Sequence, residues 1–393
     1  MAADEIEVAH ARALLLHAQG MASKPARATK AKLLETIRRM GLLQIDTISV
    51  VARSPYLVLW SRLGAYENRW LDELLEEGKV FEYWSHAVCF LPIEDYPLYR
   101  HAMLDWANEN QDALAHPSAT HVLEKIRQQG AVRSSDFASD QKRGTWWDWK
   151  PEKLALERLI FAGELMIARR EGFQRVYDLR ERVLPGWDDS RMAPADAARR
   201  ELVERAVRAL GAARSEWVRW YFKHVFGSRQ VEADLAQLCR EGAVVALPVR
   251  GWKKPAYVHR ETLPLLDEIR AGRARPKRTA ILSMFDPIVS NRSRLHDLFG
   301  VHYRIEVYTP AEKRQFGYFT MPILHRDRIV GRIDAKAHRK EGVFEVKSLH
   351  WEPGVEVPKV HPHVVRSIED CAAWHKTPEV LGLDRIPAAA PRT

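Results

Sequence analysis

The order of hydrophobic and polar positions along this chain follows one plan three times. In each stretch, apolar residues first recur every three or four positions, which predicts amphipathic helices. They then alternate with polar residues on both sides of a short turn, which predicts a β-hairpin. Helix, short helix, helix and hairpin is the winged-helix arrangement, a relative of the helix-turn-helix. The pattern therefore predicts three tandem winged-helix modules over residues 1–115, 116–188 and 189–272.

The first module contains the longest version of this plan. Ser54 is a candidate N-cap, and Pro55 suits the first position of the helix that follows. Helices are predicted over "EVAHARALLLHAQG", "ATKAKLLETIRRMG", "SPYLVLWSRLG", "YENRWLDELLEEG" and "IEDYPLYRHAMLDWANEN", and a hairpin over "KVFEYWSHAVCFLP". In the second module, "SATHVLEKIRQQG", a short serine-capped "SSDF" and "KPEKLALERLIFAG" precede the hairpin "ELMIARREGFQRVYDL". In the third, "APADAARRELVERAVRALG", "SEWVRWYF" and "RQVEADLAQLCREG" precede the hairpin "AVVALPVRGWKKPAYVHR".

The pattern changes over residues 273–393, where β-branched and aromatic residues alternate with polar ones between turn residues. The segments with this alternation are "YRIEVYTP", "QFGYFTMPILHRDRIVGRIDAKAHR" and "GVFEVKSLHWEPG". They predict a small antiparallel sheet or barrel, closed by a helix over "HPHVVRSIEDCAAWHK". The predicted fold class is mainly α with β wings, followed by this β element. At 393 residues the chain exceeds what one hydrophobic core usually serves, as several modules require.

Composition is typical of a soluble folded protein, with 46% hydrophobic and 29% charged residues. The apolar runs are too short to span a bilayer, and the N-terminus lacks the basic and then apolar layout of a signal peptide. Three scattered cysteines form no CxxC pair and suit a reducing cytosol. We therefore expect a cytoplasmic protein without membrane contact. The sequence shows no coiled-coil heptads, so a monomer is the default expectation.

The net charge of +9 favours a polyanionic partner, and its distribution says more than its size. Residues 270–294 carry seven Lys and Arg against the single Asp286, and residues 312–340 carry eight against three acids. A surface that faces phosphates would concentrate positive charge in this way. The alternative is a basic face that is only solvated.

Several common chemistries have no motif in this chain. There is no GxxxxGK[ST] loop, GxGxxG, HExxH or paired CxxC, so no nucleotide cofactor is expected. His361 and His363 are separated by a proline without further ligand spacing, so no metal site is expected either. A nuclease would normally need an acidic metal cluster. Two interpretations are left: a regulator that only binds DNA, and an enzyme that needs one positioned carboxylate and water.

The short stretch "QIDTI" is the candidate for such a carboxylate. In an extended chain, Gln44 and Asp46 would project to the same side, and Ile45 would point back into the core. A carboxylate can take a proton from water and stabilise a cationic transition state, while an amide can hold that water. Glycosidic hydrolysis passes through such an oxocarbenium-like state. The alternative is that Asp46 caps the next helix and Gln44 satisfies a backbone group.

Several strings of this sequence together resemble the bacterial AlkZ/YcaQ-like DNA glycosylases. The resemblance spans roughly residues 8 to 375. The strings that carry it are "LLQIDTISVVARSPYLVLWSRLG", "FEYWSHAVCFLP", "WWDWKPEKLALE", "GFQRVYDLRERVLP", "FDPIVSNRSRL", "RIEVYTPAEKRQFGYFTMPIL" and "VGRIDAKAHR". It implies three winged helices with a C-terminal β-barrel element, and a cytosolic or nucleoid enzyme. The implied partner is double-stranded DNA with N7-alkylated or crosslinked purines.

The resemblance also implies which residues act. The family motif is glutamine, an aliphatic residue and then aspartate or glutamine, and it stands here as Gln44-Ile45-Asp46. This form resembles the family branch with aspartate. Asp46 would act as general base and stabilise the sugar cation, and Gln44 would orient the water. No lysine stands in the motif as a Schiff-base nucleophile, so a monofunctional glycosylase is expected.

Seven further residues are candidates for DNA binding because of their position in the chain, and His86 also lies in a string shared with the family. Arg53 follows the motif, and His86 lies in the hairpin string "YWSHA". The other candidates belong to the basic C-terminal part: Lys313, Arg314, Arg332, Lys336 and Arg339. Tryptophans in "GTWWDWK" could contact DNA, although such clusters more often pack between modules.

Overall fold

A computed structural model describes residues 5–23, 27–137, 151–225 and 230–390. Within these ranges the chain has a mixed α/β fold with 15 α-helices and 13 β-strands. The segment "GTWWDWK" falls outside the described residues, so its predicted role has no structural test. No helix of the described part has the length and apolar character needed to cross a membrane.

Helices and hairpins occupy the segments in which periodicity predicted them. The helices are α1 Val8–Ala18, α2 Lys30–Met40, α3 Ser54–Leu63, α4 Arg69–Glu76, α5 Tyr96–Glu109, α6 Gln111–Leu114, α7 Pro117–Gln129, α8 Pro151–Phe161, α9 Arg180–Val183, α10 Ala195–Leu210, α11 Ser215–Tyr221, α12 Val231–Arg240, α13 Leu263–Arg270, α14 Arg292–Phe299 and α15 Val357–Trp374. The strands are β1 Leu43–Gln44, β2 Val80–Trp84, β3 Val88–Pro92, β4 Val132–Arg133, β5 Leu165–Glu171, β6 Gln174–Leu179, β7 Val244–Leu247, β8 Ala256–His259, β9 Thr279–Ile281, β10 Thr320–His325, β11 Arg328–His338, β12 Val343–Trp351 and β13 Glu379–Leu381.

The chain divides into two compact units. The first contains Met1–Glu67, Val203–Tyr221 and Ser228–Thr393, and the second contains Asn68–Leu202 and Phe222–Gly227. The four domains predicted from the sequence are not tested by this division and stay predictions, as do the winged-helix modules and the barrel.

Helix α3 is the central element of the first unit, and all its residues are buried. Its sequence "SPYLVLWSRL" is apolar around most of its circumference, as a helix buried on every side requires. Arg53 takes the N-cap position, so the prediction that Ser54 caps this helix is wrong. Ser54 is instead the first helical residue, and its hydroxyl lies 2.9 Å from that of Ser283.

A buried ion pair connects α3 to the segment 283–289. Both Nη atoms of Arg62 donate to the Asp286 carboxylate, and the Nη2–Oδ1 distance is 2.9 Å. Arg62 Nε also donates to the carbonyl of Gln19, whose own amide donates to the carbonyl of Ala209. Asp286 Oδ1 accepts from the N–H of Ile288 as well. The network thus joins the end of α1, α3, the end of α10 and the C-terminal part.

The C-terminal part of the first unit contains a five-stranded sheet in the order β13-β12-β11-β10-β9. The strand pairs are antiparallel except β12–β13, which is parallel. Helix α15 lies where the closing helix was predicted, and Trp374 stacks on Trp60 of α3 at 5.8 Å between ring centroids.

The segment "YRIEVYTP" was predicted to be part of this sheet, and that prediction is wrong. This segment contains no strand, and its position is set by side-chain hydrogen bonds. Tyr303 donates its hydroxyl proton to the carbonyl of Thr320, and Glu306 accepts from the backbone N–H groups of residues 315–317. These bonds shape 301–319 into a loop.

The second unit contains the hairpin β2–β3 and the sheet β4-β6-β5. Glu82 on β2 is buried and accepts from Arg170 on β5 at 2.7 Å and from Arg175 on β6 at 3.0 Å. Burial would raise the pKa of Glu82, but the two guanidinium groups lower it below its usual range. The pair of arginines thus fixes the hairpin to the neighbouring sheet.

We predict that the Arg62–Asp286 pair stabilises the first unit only as a pair. Asp286→Leu should lower the free energy of unfolding by about 3–5 kcal/mol, because it leaves the Arg62 charge buried without a counter-charge. The double variant Arg62→Met/Asp286→Leu should lose clearly less than the sum of the two single variants. Urea unfolding of the four proteins measures this coupling, and additive losses would contradict it.

Candidate active site

The predicted motif lies in a segment that connects β1 to α3. Leu42 and Leu43 are buried and anchor its beginning, and residues 45–53 then run without regular structure to α3. Gln44 and Asp46 are half-buried, as side chains that meet both protein and solvent must be. Ile45 is also half-buried, less than full insertion into the core would make it. The segment leaves the two-residue strand too early for a strict alternation of sides.

Asp46 forms a local turn with its own backbone. Its Oδ1 accepts the N–H of Ile48 at 2.7 Å, which is the only hydrogen bond of this side chain to any described residue. Because α3 begins at Ser54, Asp46 is not its cap. Partial burial raises the pKa of the Asp46 carboxyl above its usual value, and the bond from Ile48 partly opposes that shift. The carboxylate keeps its second oxygen for another partner.

The end of strand β11 holds the motif segment in place. The N–H of Ala337 donates to the carbonyl of Val50 at 3.0 Å. Arg339, just beyond the strand, donates to the hydroxyl of Ser49 at 3.2 Å and to the carbonyl of Val51. The motif segment is thus held by one backbone N–H of β11 and by the guanidinium of Arg339, almost 300 residues later in the chain.

Two predicted phosphate-binding residues, Arg53 and Arg339, lie close to each other beside this segment. Burial and the nearby charge of Arg53 lower the pKa of the Arg339 guanidinium. The same Arg339 charge adds to burial in lowering the pKa of His375 to about 4. Two like charges repel, and a bound anion such as a phosphate is attracted to both of them.

Three further predicted DNA-binding residues lie on the surface or near it. Lys313 and Lys336 are exposed. Arg314 is half-buried: its Nε donates to the carbonyl of Thr309 at 2.8 Å, and its guanidinium lies 4.8 Å from the centre of the Tyr318 ring. Both lysines can reach a phosphate without breaking an ion pair of the described residues.

Arg332 and His86 do not fit their predicted role. Arg332 is buried, is paired with Glu352 and lies over the Phe316 ring at 4.1 Å, so its charge is used inside the protein. His86 is 7% exposed, in the turn between β2 and β3 of the second unit. Burial removes both side chains from the surface that a DNA backbone can reach.

Tyr308 is a candidate that the sequence analysis missed. Its side chain is 79% exposed, more than any other exposed large hydrophobic residue of the described chain. Burial first and then the charge of Asp46 raise the pKa of its hydroxyl, so the ring lies within electrostatic reach of the motif. The clue in the sequence was an aromatic residue next to a threonine and a proline, which favours a turn over a strand.

The arrangement can bind water or a cation at a carboxylate beside positive charge. Asp46 can accept a proton or stabilise a positive centre, and Arg53 and Arg339 can hold an anion near it. Within the described ranges, no three His, Cys, Asp or Glu side chains come together as metal ligands would.

Comparisons with known proteins give two matches. The family model described as DNA glycosylase AlkZ-like matches residues 37–374. The structure is similar to that of the Streptomyces sahachiroi DNA glycosylase AlkZ, with a TM-score of 0.62 and 15% sequence identity. This similarity covers 98% of the present chain and 100% of the Streptomyces chain. At that identity the second match concerns the fold.

We predict that Asp46→Asn stabilises the folded protein at neutral pH. A raised carboxyl pKa means that the folded state disfavours the charged form, so this charge destabilises the fold at any pH above that pKa. Asparagine is neutral and keeps the oxygen that accepts from Ile48. The melting temperature of the Asp46→Asn variant should exceed that of the wild type at a pH of about 7.5. The difference should shrink as the pH falls through the raised pKa of Asp46.

The control for this measurement is Glu312→Gln, which removes an exposed carboxylate of the same unit. It should change stability by about 0.5 kcal/mol or less. An Asp46→Asn variant that melts below the wild type would contradict the prediction, because the charge would then have a stabilising partner.

Proposed function

This chain belongs to the AlkZ-like DNA glycosylase family, and from this we propose a reaction for the motif segment. As a member it is a DNA glycosylase, a DNA-repair enzyme that binds DNA and hydrolyses the bond between a base and its sugar. The proposed substrates are N7-alkylated purines and interstrand crosslinks through such purines. The half-buried Asp46 carboxylate, with one oxygen held by Ile48, is the observation that carries this proposal.

The choice of substrate follows from what the site supplies. Alkylation at N7 gives the purine a positive charge, so the base is already a good leaving group and needs little acid assistance. The enzyme then has to stabilise the sugar cation and deliver water. One carboxylate and one amide are sufficient for these two tasks. The aspartate form of the motif favours general alkylation and crosslink repair.

In the proposed mechanism, Gln44 orients a water molecule and Asp46 accepts its proton. The water oxygen bonds to C1′ of the deoxyribose, and the N9–C1′ bond breaks with its electron pair going to the alkylated base. The negative charge of Asp46 stabilises the oxocarbenium-like transition state. Without a lysine nucleophile in the motif, the product is an abasic site and the strand stays intact.

The DNA backbone would lie against the cations that are available near the motif. We assign phosphate contacts to Arg53 and Arg339 first, because Arg53 directly precedes α3 and Arg339 donates to Ser49 and Val51, so both cations lie beside the motif segment. Lys313, Lys336 and Arg314 would follow the backbone away from the lesion. This surface belongs to a proposed architecture of three winged helices and a β-barrel element, in a monomer that works at the DNA of the bacterial cytosol and nucleoid.

Tyr308 is proposed to stack on a base at the lesion. The ring is exposed on a loop that the Glu306 carboxylate closes through three backbone bonds, so it is held in position before DNA binds. Aromatic rings at such positions bind the face of any base. A crosslinked base stays attached to the opposite strand, and stacking beside it needs no complete extrusion of the base.

The alternative of a regulator that only binds DNA is not favoured. A regulator would use Asp46 as a helix cap or an internal ion pair, whereas this carboxylate caps no helix and has no cationic hydrogen-bond partner among the described residues.

We predict that Asp46→Asn binds a lesion duplex and releases its base much more slowly. The substrates are a duplex with one N7-methylguanine and then an N7–N7 crosslinked duplex. Loss of a general base should lower the single-turnover rate about 10²–10⁴-fold. Base release and duplex affinity are measured for both proteins. Equal rates would exclude the role given to Asp46, and binding without release by both would favour the regulator.

The matched control is again Glu312→Gln, which removes one negative charge of the same unit. Both substitutions reduce electrostatic repulsion of DNA and should raise affinity slightly. Only Asp46→Asn should lose base release, so a loss in both variants would indicate an effect of net charge.

We predict that Tyr308 acts through its ring. Tyr308→Ala should weaken binding of the lesion duplex about fivefold or more, because stacking of one base contributes about 1–3 kcal/mol. Tyr308→Phe should behave like the wild type. Leu381→Ala, at another exposed large hydrophobic residue of the same unit, is the control and should have no effect. Equal losses in the Phe and Ala variants would point to the hydroxyl instead.

A further inference from the structure

A large cavity with basic walls lies in the first unit, and no residue of the motif segment lines it. It encloses about 1210 Å³. Its walls come from the ends of α1 and α13, the loop 271–278, the turn between β10 and β11, and α15. This volume exceeds that of a usual small-ligand pocket, about 300–1,000 Å³, so the cavity admits an extended ligand with several polar groups.

Most cations of this cavity have no counter-charge. Asp327 and Asp370 are the acids of its lining, and Asp327 is already paired with Arg12 at 3.1 Å. Four lining cations are exposed and form no ion pair with any described residue: Arg275, Lys277, Arg326 and Arg366. Unpaired cations gathered in a concave site concentrate a positive potential, which attracts anions.

Two less exposed groups point to an anion with oxygen acceptors. Arg278 is half-buried; burial first lowers the pKa of its guanidinium to about 10, Asp370 opposes that shift and Arg62 adds to it. Ser367 is 5% exposed, lines the cavity and has no hydrogen-bond partner for its hydroxyl among the described residues. A buried hydroxyl without a partner costs stability, and an oxygen acceptor of a bound ligand would satisfy it.

We propose that this cavity binds phosphate groups, presented by a DNA strand beside the lesion. Phosphate oxygens match guanidinium, ammonium and hydroxyl donors together, whereas a carboxylate ligand would use fewer of them. A DNA strand supplies several phosphates in series, as the number of cations and the size of the cavity require. A small phosphorylated molecule has the same chemistry and is distinguished below.

Helix α3 relates the cavity to the motif segment. Arg278 Nε donates to the carbonyl of Ser61 at 2.9 Å, near the end of α3, and Arg53 stands directly before its first residue. At 1.5 Å per residue these two points are about 12 Å apart along the helix. This corresponds to about three or four base pairs of B-DNA. The cavity would therefore grip the backbone on one flank of the lesion.

The test compares two arginines that line the cavity, Arg275 and Arg366, with Arg273, which lies in the same loop as Arg275. Arg275→Gln and Arg366→Gln each remove an unpaired cavity cation, whereas Arg273→Gln removes an arginine that is paired with Glu268 at 2.6 Å and does not line the cavity. The affinity for an undamaged duplex is measured against salt concentration. Each cavity variant should lower the slope of log K against log salt by about 0.9, and the control should leave it unchanged. Arg275→Lys should restore most of the slope.

Undamaged DNA makes this measurement independent of the proposed reaction and of Asp46. Equal slopes for all variants with unchanged melting temperatures would overturn the proposal. A glutamine variant with a lowered melting temperature is replaced by the lysine variant at the same position. Lysine keeps the positive charge, so the salt dependence of its DNA affinity should equal that of the wild type if the cavity binds phosphate.

A second measurement identifies the source of the phosphate. It rests on the proposed function, because binding of the lesion at the motif fixes which phosphates of the duplex lie at the cavity. Lesion duplexes are trimmed to about two base pairs on either flank. The defect of Arg275→Gln should disappear when one particular flank is removed. A defect that survives both trims, together with stabilisation of the wild type but not of Arg275→Gln by pyrophosphate, would assign the cavity to a small phosphorylated ligand and reject the DNA strand.

Discussion

The buried pair of Arg62 and Asp286 is the interaction on which the first unit depends. Two charges are removed from water, and they are tolerated because each also has backbone partners. Through them α3 receives a fixed position among segments that are far apart in sequence. Arg53 and the motif segment directly precede α3, so the placement of the candidate catalytic groups depends on this internal contact.

The site itself is built from a segment without regular structure. Its positions are set by the Ala337 N–H and the Arg339 guanidinium at the end of β11, by the Ile48 turn around Asp46 and by the buried leucines before Gln44. In such a segment no helical or strand repeat sets the direction of the side chains, and a carboxylate can therefore lie half-buried. Partial burial raises the pKa of Asp46, and burial together with the charge of Arg53 lowers the pKa of Arg339, so both groups near this segment lie in surroundings that disfavour their charged forms.

The sequence predicted the features that depend on the spacing of apolar residues. It did not predict the burial of side chains whose partners lie far away in the chain. Helices such as α3 and the hairpin β2–β3 follow from apolar periodicity, and the motif was found by its residue types. The burial of Arg332 and His86 could not be read from the chain, since a basic residue in a strand looks the same whether it meets Glu352 or solvent. "YRIEVYTP" has strand-like composition, yet Glu306 uses its carboxylate to form a loop, and this loop exposes Tyr308.

The hydrogen bond from the Ala337 N–H to the Val50 carbonyl joins the motif segment to a strand that is far away in the sequence. The string "QIDTI" contains the proposed catalytic residues, but the segment that follows it is hydrogen-bonded to a strand almost 300 residues later. Moving the string into another protein would transfer the side chains without the strand that holds their backbone. For the same reason, changes that shift β11 along its neighbours would act on the motif directly, and the two regions are expected to evolve as one unit.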